Sequence, residues 1–392
     1  MQKPNGNRTL LMAAVIVVII VVIAALFLSG AFNQGGGQNI ASSTVLPGAS
    51  TSISTPSTSI NAAASAPGVI ANISVGGSPG FAVYDPENNY MYVPNVGSNY
   101  GLGTVSVISG TNLIASLPVR YALSAAYDSL DGYIYVSNLG EISVISGTSV
   151  IANITVSGNP EDVVYDPKNG YVYVDYYGSV NSRGTISVIS GTSVIANITV
   201  GIQPMSPVYD PSNGYIYVIN SGSRTVSVIS GTSVIATAAV GSSPAYAAYD
   251  PSDGYVYVPD SGWDTVSVIS GTTTIANVTA GVGTYPQSVA YDPANGYMYV
   301  CKLYSGTVSV ISGTSVVGNL TVSASYVFAA YNPTSSYMYL PNGGSDTVFV
   351  VSGTSLIATV TVGNEPISAV YDPKNGYVYV SNHNSGTVSV LS

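Results

Sequence analysis

The chain has 392 residues, with 7% charged and 46% hydrophobic side chains and a formal net charge of −10. Eight Lys and Arg leave no basic footprint for nucleic acid. A single cysteine, Cys301, excludes an intrachain disulfide, and 42 Gly with 32 Tyr point to strands and turns rather than charged surface helices.

Residues 1–9 carry Lys3 and Arg8, and Leu10 to Leu28 follow without a charge. That apolar run approaches the ~20 residues that span a bilayer as a helix. We read 10–31 as a transmembrane anchor, with the short basic N-terminus cytoplasmic and the rest outside the cell. The competing reading is a signal peptide cleaved after Ser29-Gly30-Ala31, which would release the protein; such signals usually have apolar cores of only about 7–15 residues. Residues 32–68 are mostly Ser, Thr, Gly, Ala and Pro without charge or periodicity, as in a flexible stalk.

From residue 69 to 392 one pattern repeats. Its Tyr-Asp-Pro element recurs at Tyr84, Tyr127, Tyr165, Tyr209, Tyr249, Tyr291, Tyr331 and Tyr371, with Ser129 and Asn332 as departures. In one copy, Pro160 to Asp166 reads as strand A and Tyr171 to Val174 as strand B. Thr185 to Ser190 then reads as strand C and Val194 to Val200 as strand D. Four short strands every ~40–45 residues make a β-propeller blade. Eight A, B and C strands are present, but only seven D strands follow a C strand. The missing one stands in front, as Val69 to Val75, before the first A strand. The expected fold is therefore an all-β eight-bladed propeller whose N-terminal strand completes the last blade.

Strand B ends in Tyr92-Val-Pro-Asn95, Tyr135-Val-Ser-Asn138, Tyr217-Val-Ile-Asn220 and Tyr379-Val-Ser-Asn382, and more loosely Tyr339-Leu-Pro-Asn342. Residues 69–392 thus resemble the YVTN-type β-propeller repeats of prokaryotic surface proteins. Blades with Tyr173-Val-Asp-Tyr176, Tyr257-Val-Pro-Asp260 and Tyr299-Val-Cys-Lys302 depart from the motif. The resemblance implies a surface-layer, adhesion or scaffold role.

Groups for catalysis are scarce. His383 is the only histidine and Trp263 the only tryptophan, and no phosphate loop, CxxC or Ca²⁺ loop stands out, so no cofactor, metal or catalytic residue is expected. The recurring Asp of each Asp-Pro reads as the opening of a tight turn rather than as a ring of metal ligands. Sequons at Asn72, Asn153, Asn197, Asn277 and Asn319 fall in D strands. They are either good edge-strand triplets or glycan acceptors that block the exposed outer edge.

The A–B and C–D turns barely vary among copies, whereas the D–A and B–C loops vary in length and chemistry. Strand order places the two variable sets on one face, together with the non-repeat aromatics. We expect a contact core of Tyr176, Tyr177, Trp263, Tyr285 and Tyr304, with Arg183, Arg224 and Asp264 giving polar specificity. The function expected is recognition or adhesion at the cell surface, toward an envelope protein or polysaccharide. A structural surface-layer subunit is the alternative, and a lactone- or sugar-processing enzyme is the third reading.

Overall fold

A computed structural model describes residues 66–97, 103–176, 182–279, 285–303, 305–322 and 328–392. The anchor expected at 10–31 and all but the last residues of the expected stalk lie outside them. Among the described residues, no helix is long and apolar enough to cross a membrane.

The described residues form 32 strands in eight four-stranded antiparallel sheets, each running A–B–C–D from the axis outward. Blade 3 is representative: Pro160–Asp166, Tyr171–Tyr176, Arg183–Ser190 and Ser193–Ile202. In the last blade Pro366–Tyr371, Val378–Asn382 and Thr387–Leu391 are completed by Val69–Ser74, so the N-terminal strand does close the ring. Its register runs from Val69 opposite Leu391 to Ser74 opposite Thr387.

Both faces of a B or C strand are buried because each sheet is packed between two others. Tyr173, Ile186, Val188 and Ile198 of blade 3 pack on Ile216, Val218 and Ile229 of blade 4. The same packing joins Tyr379, Val388 and Ile73 of blade 8 to Met91, Val93 and Ile108 of blade 1. The second tyrosine of each B strand is buried, and in every blade but the seventh its hydroxyl reaches the C–D turn of the next blade. Tyr92, Tyr135, Tyr173, Tyr217, Tyr257 and Tyr299 donate to the carbonyls of Gly147, Gly191, Gly231, Gly271, Gly313 and Gly353 at 2.8–3.0 Å. Tyr379 donates to Gly110 at 2.9 Å, across the closure. Blade 8 takes its outer strand from the other end and has no C–D turn, so Tyr339 of blade 7 has no turn carbonyl to bond.

The turn reading of the repeated Asp holds. Asp85, Asp128, Asp166, Asp210, Asp250, Asp292 and Asp372 each accept the backbone N–H two residues on at 2.7–2.9 Å, and Asn332 does the same. Each two-residue C–D turn places glycine at φ near +55°, a conformation that costs glycine nothing.

At the axis, the residue three before the repeat Tyr alternates in size. Blades 1, 3, 5 and 7 present Phe81, Asp162, Tyr246 and Phe328, whereas blades 2, 4, 6 and 8 present Ser124, Ser206, Ser288 and Ser368. Eight large side chains would not fit at one level of a narrow channel, and alternation of large and small solves the crowding. The blades are tied in pairs at this level. Phe81, Tyr246 and Phe328 donate backbone N–H bonds to the carbonyls of Leu123, Gln287 and Ile367 in the following blade at 3.1–3.4 Å. Between blades 3 and 4, the Ser206 N–H instead meets the Asp162 carboxylate at 3.2 Å.

Candidate functional site: the variable-loop face

The D–A loops enter strand A through a residue in the left-handed region, often just before a proline. Ser78, Tyr121, Gln203, Ser243, Tyr285 and Glu365 have φ between 50° and 56°. The B–C loops enter strand C in the same way, at Arg224, Asp264 and Asp346, with φ of 55° to 56°. Each such non-glycine residue costs about 1–2 kcal/mol, so the surrounding hydrogen bonds must hold it. Asp264 Oδ1 accepts the Tyr285 N–H at 3.0 Å, and Asp346 Oδ1 accepts the Glu365 N–H at 2.9 Å. A carboxylate on one B–C loop therefore fixes the adjoining D–A loop.

This brings three of the expected residues together. Trp263 is 56% exposed and Tyr285 38% exposed, and Asp264 bridges their two loops. Asp264 thus acts first on the Tyr285 backbone. Arg224, one blade back, is exposed at the corresponding loop position. Arg183 is also exposed but belongs to blade 3. Its Nε donates to the Val200 carbonyl at 3.2 Å, and it lines a cavity of about 270 Å³ with Thr199, Ile202, Ser223 and Thr225. It is not part of the Trp263 cluster.

Another residue expected in the contact core is buried. Tyr176 is 5% exposed and packs in the core with Val156 and Val174. It takes the last position of the strand B motif, which is an inward one. Lys302 takes that position in blade 6 and is 3% exposed, and burial lowers its ammonium pKa. Tyr246 lies at the axis. Tyr177 and Tyr304 fall outside the described residues. The Cys301 thiol is buried and pushed up to about 12 by desolvation, so it is no thiolate nucleophile.

All five sequon asparagines are exposed on outer strands. Each has Oδ1 occupied by the central serine of strand C. Ser389, Ser143, Ser187, Ser267 and Ser309 donate to Asn72, Asn153, Asn197, Asn277 and Asn319 at 2.6–2.8 Å. The bond leaves Nδ2, the atom a glycan joins, outside this contact. Two residues before each asparagine, on the same exposed face, stands an isoleucine or valine. Counting the equivalent positions in blades without a sequon, Ile70, Ile114, Ile151, Ile195, Ile235, Ile275, Val317 and Ile357 are 43–47% exposed around the rim.

Three carboxyls near the axis escaped the sequence reading. Asp175 is 0% exposed and its Oδ1 accepts the Asp162 N–H at 2.7 Å. Burial, then Asp162 and Glu161, raises the Asp175 carboxyl well above its ordinary range. Burial and the neighbouring Asp162 push Glu161 up to about 8, and burial also raises Asp162. The signal available was the uniqueness of this copy: Glu161, Asp162 and Asp175 stand where other blades carry neutral side chains.

No family model matches the chain, and no curated protein matches it significantly. Among solved structures, it is similar to a streptogramin B lyase with TM-score 0.56 and 13% identity over 69% of this chain and 93% of that one. The Kuenenia stuttgartiensis hydrazine synthase gives TM-score 0.56 and 17% identity over 80% and 95%. The WD40 propeller domain of Doa1 gives 0.53 and 13% over 84% and 97%. At such identities the likeness carries the propeller fold, and the enzymes among these neighbours carry no activity over to this chain.

Proposed function

We propose that the chain is a YVTN-type cell-surface propeller that binds envelope glycan or protein through its variable-loop face. The supporting observation is the convergence of Trp263 and Tyr285 from loops of consecutive blades, exposed and joined by Asp264. Aromatic side chains held on preset loops stack sugar rings or seat peptide side chains at low entropic cost. The opposite face repeats the same side-chain turn in every blade, with Asp in seven and Asn332 in the eighth, and offers no such individuality. The N-terminal segment holds the propeller outside the membrane in this reading.

The test compares retention of the chain on envelope fractions after Trp263→Ala and Tyr285→Ala with Lys168→Ala and Lys374→Ala on the uniform face. Loss confined to the first pair is expected, and equal losses from both faces refute the assignment. A structural surface-layer role is the second reading, and the apolar rim of Ile70, Ile151, Ile195 and their equivalents supports it as a lateral contact. Such a subunit would dominate the envelope protein by mass, which an adhesin would not.

A further inference from the structure

The four large residues at the axis form the walls of a box. Phe328 packs on Phe81 with ring centroids 4.4 Å apart and an interplanar angle of 55°. Tyr246 meets Phe328 edge to face at 5.0 Å and 76°. These rings come from blades 7, 1 and 5, and blade 3 supplies Asp162 on the remaining side, opposite Phe328. A cavity of about 230 Å³ adjoins the box, lined by all four residues. It extends toward the A–B turns, since Val208 and Val370, two positions further along strand A, also line it.

The charge around this cavity is unbalanced. Asp162 is backed by Asp175, whose Oδ2 is buried without a hydrogen-bond partner, and Glu161 adjoins both. Among the described residues, no Lys or Arg bonds to any of the three. Burial holds these carboxyls toward their neutral form, and a cation in the cavity would favour the ionised form of Asp162, the one of the three that lines it. Three aromatic residues line the same cavity, and aromatic rings attract a cation, most strongly an organic ammonium out of water. The net charge of −10 adds a long-range pull of the same sign. Among the described residues, no group of three His, Cys, Asp or Glu could hold a metal ion. The cavity is also smaller than the ~300 Å³ at which pockets for drug-sized ligands begin.

We propose that the axial cavity binds a small organic ammonium ion, its methyl groups against Phe81, Tyr246 and Phe328 and its charge against Asp162. The site uses none of the loop-face residues and stands independently of the envelope-binding reading.

Calorimetric titration of the full chain with choline, and with its uncharged carbon analogue, tests the proposal. Choline should bind saturably at one site, and the analogue at least about tenfold more weakly. Asp162→Asn keeps an acceptor for the Ser206 N–H but removes the charge, and should weaken choline about tenfold or more. Phe328→Leu should weaken it several-fold and keeps the test open if the first variant does not fold, with circular dichroism confirming the fold of each. The proposal is overturned if choline does not bind saturably, or if the analogue binds equally well. It is likewise overturned if a folded Asp162→Asn binds unchanged, or if Ca²⁺ displaces choline one for one.

Discussion

Replacing Asp260 by asparagine should stabilise the propeller at neutral pH and change nothing near pH 4. In blades 1, 2, 4, 7 and 8 the same place in strand B holds Asn95, Asn138, Asn220, Asn342 and Asn382. Asn138 shows how it works: Nδ2 donates to Ser143 Oγ at 2.7 Å, and Ser143 donates onward to Asn153 at 2.7 Å. In blade 5, Ser267 Oγ lies 2.7 Å from Asp260 Oδ2 and 2.8 Å from Asn277 Oδ1. One hydroxyl proton cannot serve both oxygens, so the relay is complete only when Asp260 itself carries a proton. Asp260 is 0% exposed, and burial lifts its carboxyl from 3.8 to about 6, against the opposing bonds from Ser267, Thr265 and Gly241. The folded state therefore holds this proton more tightly than the unfolded chain. The associated stability is complete below about pH 4 and is lost as the pH rises through about 6. A shift of two units corresponds to roughly 3 kcal/mol at pH 7 and above. Asparagine supplies the missing N–H permanently and removes that penalty. Urea unfolding of both proteins at pH 4, 6 and 8 should show midpoints that coincide at the lowest pH and separate in favour of the variant above pH 6. A variant no more stable than the parent at pH 8 would refute the reasoning, because Asp260 would then be held well as an anion.

Deleting Val69–Val75 should expose the edge of Thr387–Leu391 and unpack Ile73, whose burial alone is worth about 2 kcal/mol. Aggregation or a melting point several degrees lower is expected, and an unchanged melt would contradict ring closure by this strand. Tyr217→Phe should cost about 1–2 kcal/mol in denaturant unfolding, since it strands the Gly271 carbonyl between two blades; a neutral result would show that water replaces the phenol. The whole propeller should be at least as stable at pH 4–5 as at pH 8, because Glu161, Asp162, Asp175, Asp260 and Glu365 all have carboxyls raised by burial. Stability that they contribute is present at acid pH and lost as pH rises toward 8. Loss of near-ultraviolet circular dichroism between pH 7 and 4 would show the opposite.

The ring and its closure were legible because the strand D pattern at Val69 to Val75 matches the outer strands elsewhere and cannot pair inside its own blade. The Asp-Pro turns were legible for a local reason: the carboxylate meets an N–H two residues away, and no tertiary context is needed. Trp263 and Tyr285 were identified by their place in variable loops, and they are indeed exposed. Tyr176 is buried rather than exposed, since a residue peculiar to one blade, as Lys302 also is, need not face solvent. Both occupy the motif's last position, and Asn95 and Asn382 at that position are buried beneath strand C hydroxyls. The axial box was hidden for a geometric reason. Phe81, Asp162, Tyr246 and Phe328 are roughly 80 residues apart in sequence, a separation of two blades, and only the curvature of the ring makes them neighbours.

The tyrosine bonds between blades have a mechanical consequence. Every junction that has a C–D turn gains a hydroxyl latch, so tension along the chain is shared around the disc. The junction of blades 7 and 8 lacks one, and the strand that completes blade 8 is the first to follow residue 68. A pull on the preceding segment loads the Ser392–Gly68 bond first and then the pairs from Val69–Leu391 inward, one after another. The ring's seam, the pairing of Val69–Ser74 with Thr387–Leu391 inside blade 8, lies where an N-terminal tether would apply its force. Force entering the ring through residue 68 would be felt at this seam before any other blade began to part.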